Sequence, residues 1–164
     1  MRSITPLSPI VDRDCTVLIL GSHPSVISKE VGFYYGNPHN RFWKVMGSLL
    51  DVGDMTDLSP EDKTRLLLCR HVALYDVVEG CDLVGSQDAS IKNVAPADIR
   101  GLLAASRIER IFLNGATAYK LFARHFPDLV SIATPLPSTS PANAKMRLDD
   151  LLSEWEVVRQ SLEK

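Results

Sequence analysis

Four short apolar runs, "TVLILGS" (16–22), "HVALYDVV" (71–78), "IERIFLN" (108–114) and "LVSIATPLP" (129–137), recur along the chain with helical stretches between and after them. Runs of this length, rich in β-branched and apolar residues and ended by turn residues, read as buried strands. The helices have their own signals. Phe42, Val45, Met46, Leu49 and Leu50 recur at helical spacing behind Asn40, which is placed as an N-cap. Ser59 and Pro60, followed by Glu61 and Asp62, open a second helix. "APADIRGLLAA" and "GATAYKLFARHF" supply two more, the latter starting on a glycine turn. "KMRLDDLLSEWEVVRQSL" closes the series, with Leu148, Leu151, Leu152, Trp155 and Leu162 on one face. The alternation predicts an α/β chain: a three-layer α/β/α sandwich on a central four-stranded, mostly parallel sheet, one domain over residues 1–164.

Such sheets bind ligands beyond the carboxyl ends of their strands. The loops leaving those ends are residues 21–25, 76–86, 114–116 and 137–144, and the predicted topology brings Asp76 and Asn114 to one crevice with the rest. In the first loop, Gly21 permits close backbone approach, and Ser22 and Ser25 suit an anion or a polar base edge. A capped strand-to-helix turn would look the same. Tyr34 and Tyr35 precede Gly36 and Pro38 in a segment too turn-rich for regular structure, so at least one ring is expected over the crevice. Asn40 can cap its helix and still offer an amide to water. The loop "LPSTSPANAKMRL" sets Ser138, Thr139 and Ser140 at the mouth of the last helix, with Lys145 and Arg147 in its first turn. The helix dipole disfavours cations there unless a phosphate arrives.

Composition narrows the classes. A chain of 164 residues with 45% hydrophobic and 23% charged residues suits one full core. No run of about 18 apolar residues is present. "MRSITPLSPIVDRD" lacks the apolar centre of a signal peptide, so a cytoplasmic location is expected, nucleoid-associated in a prokaryote, without membrane contact. Cys15, Cys69 and Cys81 are too dispersed for a zinc knuckle, and neither metal nor cofactor is expected. A formal charge of −2 confines any nucleic-acid footprint to local cations, here Arg41, Lys145 and Arg147. A monomer is expected.

"GSHPSVIS", "YYGNPHNRFW" and "LPSTSPANA" together resemble the hypoxanthine-DNA glycosylases (DNA-deoxyinosine glycosylases) of the uracil-DNA glycosylase superfamily. "ALYDVVEGCDLVGSQDASIKN" and "IFLNGATAYKLF" resemble the family's intervening segments, so the likeness spans nearly the whole chain. The resemblance implies a base-excision repair enzyme that hydrolyses the N-glycosidic bond of a flipped, deaminated base in double- or single-stranded DNA. It implies Asn40 as the residue serving the attacking water. His23 stands where the wider superfamily usually has Asp or Asn and the hypoxanthine branch an aromatic residue, which leaves its part in catalysis open. Leu136 replaces a His or Asn that supports leaving uracil, favouring a purine leaving group.

By the same resemblance, Gly21, Ser22, Tyr35, Asp76 and Asn114 form the base pocket. Ser25, Ser138, Thr139, Ser140, Lys145, Met146 and Arg147 are expected on DNA. No amine nucleophile is indicated, so the enzyme is expected to be monofunctional, without a lyase step. Two alternatives stay open: a uracil or xanthine enzyme, and a non-catalytic DNA-binding module of the same fold.

Overall fold

The computed structural model describes residues 2–4, 7–23, 26–82 and 92–163. In chain order they form β1 (Arg2–Ile4), β2 (Val17–Gly21), α1 (Val26–Val31), α2 (Phe42–Leu49), α3 (Pro60–Cys69), β3 (Val72–Asp76), β4 (Val78–Asp82), β5 (Lys92–Pro96), α4 (Ile99–Ala104), β6 (Arg110–Asn114), α5 (Ala116–His125), a 3-10 turn at Pro127–Ile132, β7 (Ala133–Leu136) and α6 (Leu148–Leu162). Four strands make a wholly parallel sheet in the order β3-β2-β6-β7, flanked by helices. β2 and β3 are buried along their full length, as strands covered on both faces must be.

The strand order reverses at β2: the chain next adds β3 on one side, then β6 and β7 on the other. The crevice expected of such a sheet therefore lies beyond the carboxyl ends of β2 and β6, the switch point where open α/β sheets take ligands. Gly21 and Asn114 are the last residues of those two strands, and Asp76 pairs in register with Gly21.

Beneath the crevice lies an aromatic layer. Phe42 packs edge-on against Trp43 and Trp155, which fastens α2 to α6. Trp43 Nε1 donates to the Tyr34 carbonyl at 3.0 Å, and Trp155 Nε1 donates to the Pro137 carbonyl at 2.9 Å. The indoles bury their rings and anchor the chain segments that lead into both lips of the crevice.

Several expectations shift in detail. The run 71–78 splits after Asp76, and Val78–Asp82 joins a separate antiparallel sheet ordered β1-β4-β5, in which β4 pairs with β5 close by in sequence and with β1 far from it. The fourth strand is shorter than expected because Pro127 starts a 3-10 turn that consumes the residues through Ile132. Helix α3 follows expectation, with the Asp62 amide donating to Ser59 Oγ at 3.1 Å and Pro60 in the first turn. Helix α6 begins at Leu148, so Lys145 and Arg147 do not occupy its first turn. Asp149 and Asp150 do, which is the sign the helix dipole favours. No helix among the described residues is long and apolar enough to cross a membrane.

Candidate active site

A chain of carboxamides and a hydroxyl crosses the crevice. Asn114, at the end of β6, donates from Nδ2 to Thr139 Oγ1 at 3.0 Å and accepts the Thr139 amide on Oδ1, also at 3.0 Å. Thr139 Oγ1 in turn donates a hydrogen bond to Asn40 Oδ1 at 2.7 Å. The same oxygen accepts the Phe42 amide at 3.0 Å. Asn40 thus supports the start of α2, but one residue ahead of the position expected for a cap, since Arg41 directly precedes the helix.

This network fixes the carboxamide's orientation. Both lone pairs of Asn40 Oδ1 are taken, while Nδ2 makes no hydrogen bond among the described residues. What Asn40 offers the crevice is a pair of N–H donors. Thr139, expected on DNA with its serine neighbours, is fully buried and is the hub that aims Asn40. Nothing in "PSTSP" distinguishes it from those serines; its role follows from the side of the loop that β7 turns inward.

On the other side of the crevice, Gly21 lies under two polar groups. A Cβ built on Gly21 would stand 2.7 Å from Asp76 Oδ1 and 3.0 Å from Tyr35 Oη, so no other residue fits without displacing them. Tyr35 adopts the left-handed backbone conformation, with φ of 52°, which is uncommon outside glycine and turns its ring onto Phe42 at 4.0 Å between centroids. One face of the ring is therefore occupied, and the hydroxyl end reaches the crevice floor. Tyr34 points the opposite way into the core and donates to the Ser8 carbonyl at 2.6 Å.

Asp76 is 3% exposed. Among the described residues, neither its Oδ2 nor the Tyr35 hydroxyl has a hydrogen-bond partner. Burial pushes the Asp76 carboxyl up to about 7, against the opposing pull of His23. Burial, with the nearby Asp76 charge, also pushes the Tyr35 phenol up; Asn114 opposes the shift without closing a hydrogen bond to it. Ser22 and His23 are half-buried beside Gly21, and Ser25 lies outside the described residues.

The far lip is the loop before α6. Ser138 Oγ accepts the Ser140 amide at 3.1 Å, and Ser140 Oγ accepts the Ala142 amide at 3.1 Å, so both hydroxyls brace the loop. Arg41, expected in the DNA footprint, is instead drawn into the loop's interior. Its guanidinium donates to the carbonyls of Thr139, Ser140 (2.9 Å), Asn143 (3.1 Å) and Met146. Four carbonyls around one cation satisfy it without a carboxylate. Lys145 and Arg147 remain exposed on the loop's outer side, and Met146 is half-buried between them.

This geometry has relatives. The model of the uracil DNA glycosylase superfamily matches residues 9–160. A hypoxanthine DNA glycosylase of Methanosarcina acetivorans is 33% identical over 152 residues, 91% of this chain and 93% of the relative. A second, from Methanosarcina barkeri, is 32% identical over 85 residues, 52% of this chain and 53% of its own. The solution NMR structure of a Methanosarcina acetivorans protein with the provisional name uracil DNA glycosylase superposes with a TM-score of 0.85 at 31% identity, covering 100% of both chains.

Proposed function

Since the chain belongs to the uracil DNA glycosylase superfamily, we propose that it is a DNA repair hydrolase that cleaves the N-glycosidic bond of deoxyinosine and releases hypoxanthine. The hypoxanthine DNA glycosylases of 33% and 32% identity support that substrate, and the uracil-named structure supports the shared fold. The bond lies inside the base stack of a duplex, so the nucleotide is extruded first, and a pair containing inosine costs less to open than a normal one.

The observation that carries the catalytic assignment is the one-sided occupation of Asn40: Oδ1 holds two donors and Nδ2 none of its own partners among the described residues. A water that accepts from Nδ2 keeps a lone pair for C1′. Cleavage that runs ahead of water attack leaves an oxocarbenium-like sugar, which a neutral water captures without a strong base. An asparagine is then sufficient, and its value lies in placement.

The flipped base enters the crevice over Gly21, between the Tyr35–Asp76 side and the Asn114–Thr139 side. Backbone phosphates lie along the far lip, met by Lys145 and Arg147, with Ser138 and Ser140 shaping the loop that faces them. Duplex DNA with a single lesion, bound by one copy of the chain, satisfies this arrangement. The deciding experiment compares duplexes carrying one inosine, uracil or xanthine, with chelator present. Release of hypoxanthine well above uracil and xanthine is expected. Release of uracil alone overturns the purine assignment, and binding without release by folded protein leaves a DNA-binding module.

A further inference from the structure

Hypoxanthine is a poor leaving group as an anion, and the catalytic reading above names nothing that accepts its charge. Among the described residues, the Asp76 carboxyl stands where it can do so. Asp76 ends β3 opposite Gly21, is nine-tenths buried or more, and keeps one oxygen without a hydrogen-bond partner among the described residues. Buried polar atoms in folded proteins are nearly always hydrogen-bonded, so an orphan at a ligand crevice calls for a partner that arrives later. It also lies across the crevice from Asn40: Asp76 and the Tyr35 hydroxyl flank Gly21, whereas Asn114, Thr139 and Asn40 line the other side. A nucleotide between them would have water on the sugar side and the carboxyl on the base side.

We propose that Asp76 is the general acid for the departing purine, giving its proton to N7 as the C1′–N9 bond breaks. N7 is the most basic ring nitrogen of a 6-oxopurine nucleoside, and its protonation turns the leaving anion into neutral hypoxanthine. The electron pair of the broken bond goes to the base, water oxygen bonds to C1′, and the water's surplus proton passes to solvent. Asp76, left as carboxylate, recovers its proton from solvent, so the net change is hydrolysis. The inference rests on the deoxyinosine reading above.

The charged and titratable groups that act on Asp76 are few. His23 faces it from the loop after β2, Tyr34 and Tyr35 from the segment before α2, and Tyr75 precedes it on β3. The phenols are all pushed up by burial and stay neutral near pH 7, which leaves His23, among the described residues, as the group that opposes the rise of the Asp76 carboxyl. With the carboxyl lifted to about 7, a useful fraction of the acid persists at neutral pH.

The test uses single-turnover excision from duplexes with one deoxyinosine or one 7-deaza-deoxyinosine, which has no N7 to protonate. Wild-type excision of hypoxanthine is expected to fall about tenfold per pH unit above pH ~7. Asp76→Asn keeps the shape, loses the proton, and is expected to be slower by about a hundredfold or more at pH 6 with a flat profile. On the 7-deaza substrate the variant should lose nothing further relative to wild type. Parallel pH profiles, or an equal loss on both substrates, overturn the proposal. If the variant does not fold, wild-type cleavage of the 7-deaza duplex at the inosine rate overturns it alone. A wild type that releases no hypoxanthine from inosine while folded removes the functional reading itself.

Discussion

Tyr34 and Tyr35 are neighbours in the chain and belong to different regions of the molecule. In the aromatic layer around Tyr34, the polar atoms carried into the core find partners: its hydroxyl at Ser8, Trp43 Nε1 at the Tyr34 carbonyl, Trp155 Nε1 at Pro137. On the crevice floor around Tyr35, the hydroxyl and one oxygen of Asp76 have none among the described residues, and the backbone sits at positive φ. The layer is built to hold; the floor is built to receive something. Unsatisfied groups and backbone strain kept at one spot, above a fully satisfied support, are the pattern of a binding site held against its own cost.

The contrast breaks most visibly at Asn40. Asn40→Ser retains an oxygen for the Phe42 amide but carries no amide N–H donors, and its hydroxyl is too short to take their place in the crevice. Hypoxanthine excision in single turnover should fall at least about a hundredfold, the scale of losing one positioned polar catalytic group. Melting should drop by no more than about 2–4 °C, the shift that roughly 1 kcal/mol makes at this chain length. Near-normal excision would remove Asn40 from the chemistry and bring His23 forward.

A second break separates the cation that holds the loop from the cations proposed to meet DNA. Neutral substitution of both Lys145 and Arg147 should flatten the log–log salt dependence of DNA binding by about one unit per lost phosphate contact. An unchanged slope would take them off the interface. Arg41 had been expected to belong with them, and its different fate shows where sequence reading stops. The strands and the Ser59–Pro60 helix start are legible because their signals are local, a few residues of pattern or cap chemistry. Arg41 is claimed by carbonyls 98 to 105 residues away, Thr139 by an asparagine 25 residues before it and another 99 before it. Such pairings exist only after the sheet has closed. The pairing of β1 with β4, across nearly eighty residues, is hidden for the same reason. The convergence of Gly21, Asp76 and Asn114 was readable because strand ends follow from alternation alone.

Asp76 gives a stability test of the floor. Its carboxyl is raised from 3.8 to about 7 on folding, so the folded chain prefers the protonated form. The stability tied to that proton is fully present below the unfolded value and is lost as pH rises through about 7. Asp76→Asn, neutral at every pH, should therefore melt above wild type at pH 8.5, by at least about 2–4 °C. The gap should close as pH falls toward 4. A variant less stable than wild type at pH 8.5 would mean that the carboxylate is held by partners in solution, and that the floor is not strained at this point.

The smallest effect is the most direct comparison of the two regions, because the same atom is removed from adjacent residues. Tyr34→Phe strips the Ser8 carbonyl of its donor in the core and should cost about 1–2 kcal/mol in denaturant unfolding. Tyr35→Phe removes a hydroxyl that has no partner to lose, so its cost should be close to zero, and relief of a buried orphan can make it slightly stabilising. Excision should reverse the ranking: Tyr34→Phe near wild type while folded, Tyr35→Phe slower, since the proposed reading seats the flipped base against the hydroxyl on the floor. Equal stability losses in the two variants would show that Tyr35 is satisfied in solution, and the distinction between a supporting layer and a receiving floor would fail at the residue pair that defines it.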